Sequence, residues 1–141
     1  TEGGQCTSNF IFIDVSVDPD TGAEVLDDVL IGMAAHCAGT DGNTATNGCE
    51  AGSRELGTQV EIDGASQPGT LVYSSWLTMQ GLEESDRNIC NGNDFALVSI
   101  DPADWSSVNP SMPCWGGPVG LAETVPHEVS GLVVPPEDFS G

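Results

Sequence analysis

Apolar and polar residues along this chain form short segments that are separated by clusters of Gly, Asp, Asn and Pro. The pattern predicts five β-strands, at residues 10–17, 25–33, 56–62, 71–79 and 95–100. Alternation is clearest in 56–62, where Leu, Thr, Val and Ile alternate with Gly, Gln and Glu, as in a half-buried strand. No window shows the long 3.6-residue periodicity of an amphipathic helix. We therefore expect an all-β fold, an antiparallel barrel or sandwich.

The first two predicted strands are separated by an acidic turn, Asp18-Pro19-Asp20-Thr21-Gly22. Its proline and glycine favour a turn, so residues 10–33 are expected to form a hairpin. The acidic residues superficially match a calcium-binding loop. The glycine, however, is one position too early for an EF-hand, and predicted strands rather than helices flank the turn. We interpret the segment as an acidic hairpin turn and expect no metal site.

The character of the sequence changes after Trp105. Residues 109–113 and 116–118 are rich in Pro and Gly and have the composition of a linker. One more short apolar segment, residues 129–134, precedes Pro135-Pro136. The length of 141 residues fits one ordinary domain with enough chain to bury a core.

The chain is strongly acidic, with 22 Asp and Glu residues against two Arg and a formal net charge of −20. Such a surface repels phosphate backbones and anionic lipids, so we expect neither nucleic acid nor a membrane as a partner. No segment approaches the roughly 20 apolar residues that span a bilayer. Two explanations of the acidity stay open: ordinary solubility, or a high-salt habitat in which screening relieves the self-repulsion.

The five cysteines contain no Cys-x-x-Cys pair and do not match the spacing of zinc ligands. They indicate disulfide bonds formed in an oxidising compartment. The odd number implies a free thiol or a bond to another chain. With no basic-then-apolar leader at Thr1, the expectation is a processed, secreted, extracellular product.

Two motifs carry residues suited to catalysis. Ile31-Gly32-Met33-Ala34-Ala35-His36-Cys37 places His36 after an apolar segment, and Asn93-Asp94-Phe95-Ala96-Leu97-Val98 places Asp94 before one. Histidine titrates near neutral pH, which suits it to proton transfer. Both motifs resemble those of the chymotrypsin-like (trypsin-like) serine peptidases, which read Thr-Ala-Ala-His-Cys and Asp-Ile-Ala-Leu-Leu. Met33 replaces the Thr and Phe95 the Ile, and both are packing positions. The competing interpretation is a structural His beside a disulfide and an Asp that caps a strand.

The resemblance implies a fold of two six-stranded antiparallel β-barrels with the active site in the cleft between them. Residues 1–108 would be the first barrel, and residues 109–141 would lead into the second. His36 would be the general base, and Asp94 would orient its ring and stabilise the imidazolium. The mechanism requires no cofactor. His127 has no motif around it and is interpreted as a surface residue, whereas Trp76, Trp105 and Trp115 are expected in the core or at a barrel end.

The nucleophile motif of these peptidases, Gly-Asp-Ser-Gly-Gly, is not in the 141 residues. Ser140 lacks the preceding Gly-Asp and the second Gly, and no other serine has the required context. Cys114 could be considered as a nucleophile, but it comes only 20 residues after Asp94, in the linker. We therefore expect no nucleophile in this chain.

The resemblance also implies a disulfide between Cys37 and Cys6. Cys49 and Cys90 are then the remaining pair, with Cys90 close to Asp94 in sequence. The rival pairing, Cys37 with Cys49 and Cys6 with Cys90, stays open because spacing does not determine connectivity. Cys114 would be an interchain or free thiol, and we expect it to be bonded to, or buried against, a segment outside this chain.

The leading functional hypothesis is the N-terminal part of a secreted trypsin-like serine endopeptidase. Its partners would be a C-terminal half that carries the serine and a protein or peptide substrate. One alternative is a catalytically inactive module of the same fold that acts as an extracellular binding or structural domain. Another is an independent acidic β-domain in which the motif match is a coincidence.

Overall fold

A computed structural model describes residues 5–41, 46–111, 114, 116–118 and 120–121. Its five strands are β1 Ile11–Val17, β2 Glu24–Met33, β3 Gln59–Val60, β4 Gly69–Ser74 and β5 Ala96–Ser99. They form one antiparallel sheet in the order β1-β2-β5-β4-β3. The described helices are all short: α1 Ser75–Gly81, α2 Arg87–Gly92, and the 3₁₀ helices Ala35–Ala38 and Pro102–Ser107. The chain is therefore mostly β, as its pattern predicts.

The predicted acidic hairpin is confirmed. β1 pairs with β2 from Ile11 opposite Ile31 to Val17 opposite Glu24, with a register shift after Asp14. In the turn, the Asp18 carboxylate accepts hydrogen bonds from the backbone N–H groups of Thr21 and Asp20, at 2.9 and 2.8 Å. These bonds lower the pKa of Asp18. The Asp18 carboxylate thus satisfies two backbone N–H groups of its own turn.

The prediction of a strand at residues 71–79 is wrong in its second half. β4 ends at Ser74, and α1 begins at Ser75. Trp76 and Met79, three residues apart, lie on one face of α1 and are both buried. A helix of two turns is too short to show a convincing periodicity, which is why this apolar run and α2 were not recognised. Asp86 caps α2 by accepting from Asn88 N–H at 2.8 Å.

The strand predicted at residues 56–62 is also shorter than expected. Only Gln59 and Val60 form strand pairs with β4, although Gly57 and Thr58 also hydrogen-bond to the backbone of Leu71. Gly57 has a φ of +90°, a left-handed conformation that interrupts an extended strand. Leu56, just before it, is 53% exposed rather than part of a half-buried face. The alternation of apolar and polar residues therefore predicted the position of this strand correctly, but not its length.

The expected barrel does not close over the described residues. The sheet is open, with β1 and β3 as its edge strands. Ile13 pairs directly with the fully buried Val29, so the two side chains share a face, yet Ile13 is 51% exposed. Two-residue β3 leaves most of the other edge without a paired strand. The described sheet is therefore antiparallel, as predicted, but it is not a closed barrel.

The core lies where β2, β4 and β5 meet α1. Leu71, Trp76 and Val98 are almost completely buried there. Gly48 lies so close to the Trp76 ring that a Cβ at this position would clash with the indole. Trp76 is thus a core residue, as predicted. Trp105 is half-buried and donates from Nε1 to the Ile100 carbonyl at 2.8 Å, and Trp115 lies outside the described residues.

One buried carboxylate joins two loops. Asp104, only 7% exposed, accepts hydrogen bonds from Ser66 N–H at 2.9 Å and from Gln67 N–H at 3.1 Å. These backbone donors, Ser66 first, lower the pKa of Asp104. The bonds hold the segment between β3 and β4 against the 3₁₀ helix Pro102–Ser107. No motif in the sequence identifies this contact.

The disulfide pairing implied by the resemblance is confirmed, and the rival pairing is wrong. Cys6 is bonded to Cys37, and Cys49 to Cys90. The bonds close loops with sequence separations of 31 and 41. Each should stabilise the fold by roughly 3–4 kcal/mol in the chain-entropy account. Cys114 is exposed and unbonded within the described residues. Its expected contact with a segment outside this chain stays a prediction.

Several expectations lie outside the described residues. Among these are the apolar segment 129–134, His127 and Ser140. Residues 109–111, the described start of the expected linker, contain neither helix nor strand. Within the described part of the chain, no helix has the length and apolar character needed to span a bilayer.

Candidate active site

His36 lies on the short 3₁₀ helix that directly follows β2. Ala35 and Ala38 are buried on its inner side, at 0% and 3% exposure, and their small side chains let the turn pack closely against the core. The Cys6–Cys37 disulfide ties the adjacent residue to the N-terminal segment. The backbone N–H of Gly39 closes the turn on the His36 carbonyl at 2.9 Å. His36 is therefore an exposed side chain on a firmly anchored backbone.

Asp94 lies between α2 and β5, and Ser75 holds the chain on both sides of it. The Ser75 hydroxyl donates to the Asn93 carbonyl at 3.1 Å and accepts from Phe95 N–H at 3.0 Å. The Ser75 N–H also donates to the Phe95 carbonyl at 2.8 Å. Ser75 is 5% exposed, so these bonds are shielded from water. The residues before and after Asp94 are thus clamped by one serine at the start of α1.

The Asp94 carboxylate makes two bonds to one residue. Its Oδ2 lies 2.6 Å from His36 Nδ1, and its Oδ1 accepts the His36 backbone N–H at 2.8 Å. Both carboxylate oxygens are thereby used, and the ring plane is fixed relative to the backbone. The two side chains are 47% and 39% exposed, so the pair lies at the surface of the described domain.

This contact determines what the imidazole can do. Because Nδ1 faces a carboxylate, it carries the proton, and Nε2 of the neutral ring is left as the acceptor. Nε2 has no hydrogen-bond partner among the described residues. The arrangement can accept a proton at Nε2 while the carboxylate stabilises the resulting imidazolium. His36 and Asp94, which are 58 residues apart in sequence, thus have the relative geometry of a base and its orienting acid.

The described residues do not include a hydroxyl or thiol hydrogen-bonded to the His36 ring. Ser140, the weak candidate nucleophile, lies outside them. Cys114 is described and exposed, and its backbone has a φ of +70°. The described part of the chain therefore supplies a base and an acid but no attacking atom.

A wide groove adjoins His36. Its volume is about 1500 Å³, and both polar and apolar residues line it, among them Ile31 and Met33 of β2 and Gln59 and Val60 of β3. His36 and Arg54 lie on its wall. The groove is open to solvent, as expected for a sheet whose two edges are not joined.

One apparent metal cluster also includes His36. Potential ligand atoms of Cys6, His36 and Cys37 lie within 4.8 Å of one another. Both sulfurs are bonded to each other in the disulfide, so neither is available as a thiolate. Only the imidazole remains as a metal ligand, and one ligand does not make a structural or catalytic zinc site.

The sequence motifs identified His36 and Asp94, but not Ser75. Residues 73–76 were interpreted as a strand, in which a serine hydroxyl would have no reason to bridge two backbone groups. The N-cap of α1 is Ser74 and Ser75 is its first residue, so the bridge is not a helix cap and no local sequence signal identifies it. No protein-family model, curated protein or solved structure matches this chain.

Proposed function

We propose that this chain is the N-terminal part of a secreted, trypsin-like serine endopeptidase. His36 is the general base, Asp94 orients and stabilises it, and the nucleophilic serine lies on a C-terminal segment outside these 141 residues. The observation that carries this proposal is the two-point contact of Asp94 with His36, at 2.6 and 2.8 Å. A strand cap or a structural histidine would not require both carboxylate oxygens on the same residue.

The chemistry follows from the ring tautomer. A serine hydroxyl within about 2.6–3.2 Å of Nε2 would pass its proton to His36 as it attacks the peptide carbonyl. Asp94 stabilises the imidazolium, which then returns the proton to the leaving amine. The exposure of His36 supports this role, because its free edge is available to a substrate and to a second structural unit.

The open sheet supports the finer proposal of a chymotrypsin-like barrel. β1 and β3 are the two edges, and β3 and the N-terminal residues 5–8 both line the groove. A further strand from outside the described residues would pair with these edges and cover exposed side chains such as Ile13 and Val17. The two disulfides support secretion, since such bonds persist in oxidising compartments.

The test uses the polypeptide that contains this chain and its downstream segment. We expect it to cleave peptides and to be labelled by a serine-directed phosphonate. His36→Ala should reduce both to the residual level, because the serine is then no longer deprotonated. The matched control is His127→Ala, which changes the other histidine of the sequence.

The residues 1–141 alone should neither cleave peptides nor react with the phosphonate. Full activity in His36→Ala, or peptidase activity of residues 1–141 alone after rigorous purification, would contradict the proposal. A downstream segment that confers neither activity nor labelling would instead favour the inactive binding module.

A further inference from the structure

The chain has only two cationic side chains that are permanently charged, Arg54 and Arg87, against 22 carboxylates. Within the described residues, neither arginine has a carboxylate within salt-bridge distance. An unpaired arginine on so acidic a chain has its donors free for an external anion. The two differ in location: Arg87 begins α2, whereas Arg54 lines the groove next to His36.

Backbone pairing determines where Arg54 lies relative to His36. Arg54 N–H donates to the Ala38 carbonyl at 2.8 Å, and Thr40 N–H donates to the Gly52 carbonyl at 3.0 Å. Between these bonds, Gly39 and Ser53 form an antiparallel bridge. Arg54 is therefore held opposite a residue of the same 3₁₀ helix that carries His36, only two positions away.

The chemistry of arginine makes this location informative. Its planar guanidinium has five donors, does not lose its charge in proteins, and binds carboxylates in a bidentate manner. The same groove also carries Glu61 and Asp63. These lie at and beyond the end of β3, on a segment paired with β4 rather than with the His36 turn. Arg54 is the permanently cationic residue that lines the groove, and the acidic groups beside the His36 turn already have hydrogen-bond partners: Asp41 accepts from Gly52 N–H, and Asp94 is bonded to His36.

From this placement we infer that Arg54 is a specificity-determining residue that binds an acidic side chain of the peptide substrate near His36. The inference rests on the proposed peptidase function and deepens it by naming a substrate class. Substrates with a correctly placed Glu or Asp are preferred over the matching amides, although the overall charge of −20 repels them at long range. The guanidinium and the carboxylate form the contact, and both are exposed, so its strength is modest.

The experiment measures kcat/KM for pairs of peptides that differ only by Glu or Gln, with this residue scanned along both sides of the cleaved bond. We expect wild type to prefer Glu at one position or more. In Arg54→Gln, the ratio of kcat/KM for the Glu peptide to that for the Gln peptide should fall by about 2- to 5-fold, the range for an exposed ion pair. Molar sodium chloride should reduce the wild-type preference. Arg87→Gln, which makes the same change in net charge away from the groove, should keep it.

The outcomes separate the two proposals. Cleavage with no Glu preference at any position, or an equal loss in Arg54→Gln and Arg87→Gln, overturns the role of Arg54 and leaves the peptidase intact. The role of Arg54 is supported if Arg54→Gln cleaves the Gln peptide as fast as wild type does but no longer prefers the Glu peptide. A wild type that cleaves neither peptide overturns the peptidase function and, with it, this inference.

Discussion

The two ends of β2 contain the same kinds of apolar residue in very different surroundings. At the His36 end, Val29 and Met33 are buried at 0% and 8% exposure, and residues 30 and 31 are paired on both sides, with β1 and β5. At the hairpin end, Val25 is 45% exposed, and among the described residues β1 is the one strand that pairs with it. β5 has four residues and does not extend along the ten residues of β2. An apolar pattern therefore identifies a strand, whereas the neighbouring strands decide its burial.

The difference in burial between the two ends of β2 determines where the His36–Asp94 pair is supported. The well-covered end leads into the buried Ala35 and Ala38 and the Cys6–Cys37 disulfide, and Ser75 holds the backbone around Asp94, so the His36–Asp94 geometry is built on anchored backbone. The hairpin end carries six carboxylates between residues 14 and 28 and few contacts outside the hairpin. We expect substitutions at the first end to affect catalysis and stability together, and substitutions at the second to affect neither strongly.

The largest expected effect is on catalysis at the covered end. In the proposed peptidase, complete with its serine-bearing segment, Asp94→Asn should lower kcat by about 10⁴, the loss the serine-peptidase mechanism shows for this change, because the amide favours the wrong imidazole tautomer. Asp14→Asn in the hairpin, which removes the same charge, should leave kcat almost unchanged. Steady-state kinetics of the two variants measures this contrast, and a similar loss in both would show that net charge rather than geometry is responsible.

The effect of burial on stability can be measured by making the same Val→Ala substitution at the covered end and at the hairpin end. Val29→Ala should lower the free energy of unfolding by about 2 kcal/mol, since it removes two buried methyl groups and leaves a cavity. Val17→Ala, at a side chain that is 62% exposed, should change it by less than about 0.5 kcal/mol. Denaturant titration measures both values. Equal losses would indicate that a segment outside the described residues covers the hairpin.

Two adjacent serines at the start of α1 give a sharper contrast. Ser75→Ala removes both bonds of the hydroxyl that brackets Asp94 and should cost about 1–3 kcal/mol, with a fall in kcat as Asp94 loses its fixed position. The hydroxyl of Ser74 is buried and has no hydrogen-bond partner among the described residues. Ser74→Ala should therefore be neutral or stabilising. Urea denaturation and kcat of the pair measure this, and a larger loss in Ser74→Ala would contradict it.

Acid should weaken the contact made by Asp104. Its pKa is lowered in the folded chain by the N–H donors of Ser66 and Gln67, so the ionised carboxylate stabilises the fold. This stability is fully present above the ordinary carboxyl pKa, near about 4, and is lost as the pH falls through the lower folded value.

The check is the difference in unfolding free energy between wild type and Asp104→Asn at several pH values. We expect the difference to shrink as the pH decreases below about 4. The control is Asp63→Asn, an exposed residue whose carboxylate accepts no hydrogen bond from the described residues. Its difference from wild type should stay small throughout, and a pH-independent difference for Asp104→Asn would rule out the linkage.

The smallest expected effect is that of salt, and it concerns the whole surface, including the acidic hairpin. Screening over about 8–10 Å at physiological ionic strength weakens repulsion between exposed carboxylates. The melting temperature should therefore be higher in molar than in low sodium chloride. Thermal unfolding followed by circular dichroism measures this, and a flat or falling curve would show that repulsion in a chain of charge −20 does not limit its stability.

Local sequence predicted those features that depend on a residue and its immediate neighbours. Strand positions in β1, β2 and β5 followed from apolar runs, and the turn at Asp18 followed from its proline and glycine. His36 and Asp94 were recognised because each lies in a distinctive run of five or more residues. The Cys6–Cys37 bond followed from resemblance, not from spacing.

The tertiary structure decided the features that depend on partners distant in the chain. The bracket around Asp94 joins Ser75 to residues 93 and 95, and the position of Arg54 depends on pairing with Ala38. α1 and α2 were not predicted, because a helix of two turns is too short for its 3.6-residue spacing of apolar residues to be distinguished from the pattern of a strand. The sequence by itself determined which residues could do the chemistry. The fold alone determined that His36 and Asp94 meet, because 58 residues of chain separate them and only packing of β2 beside β5 brings their ends together.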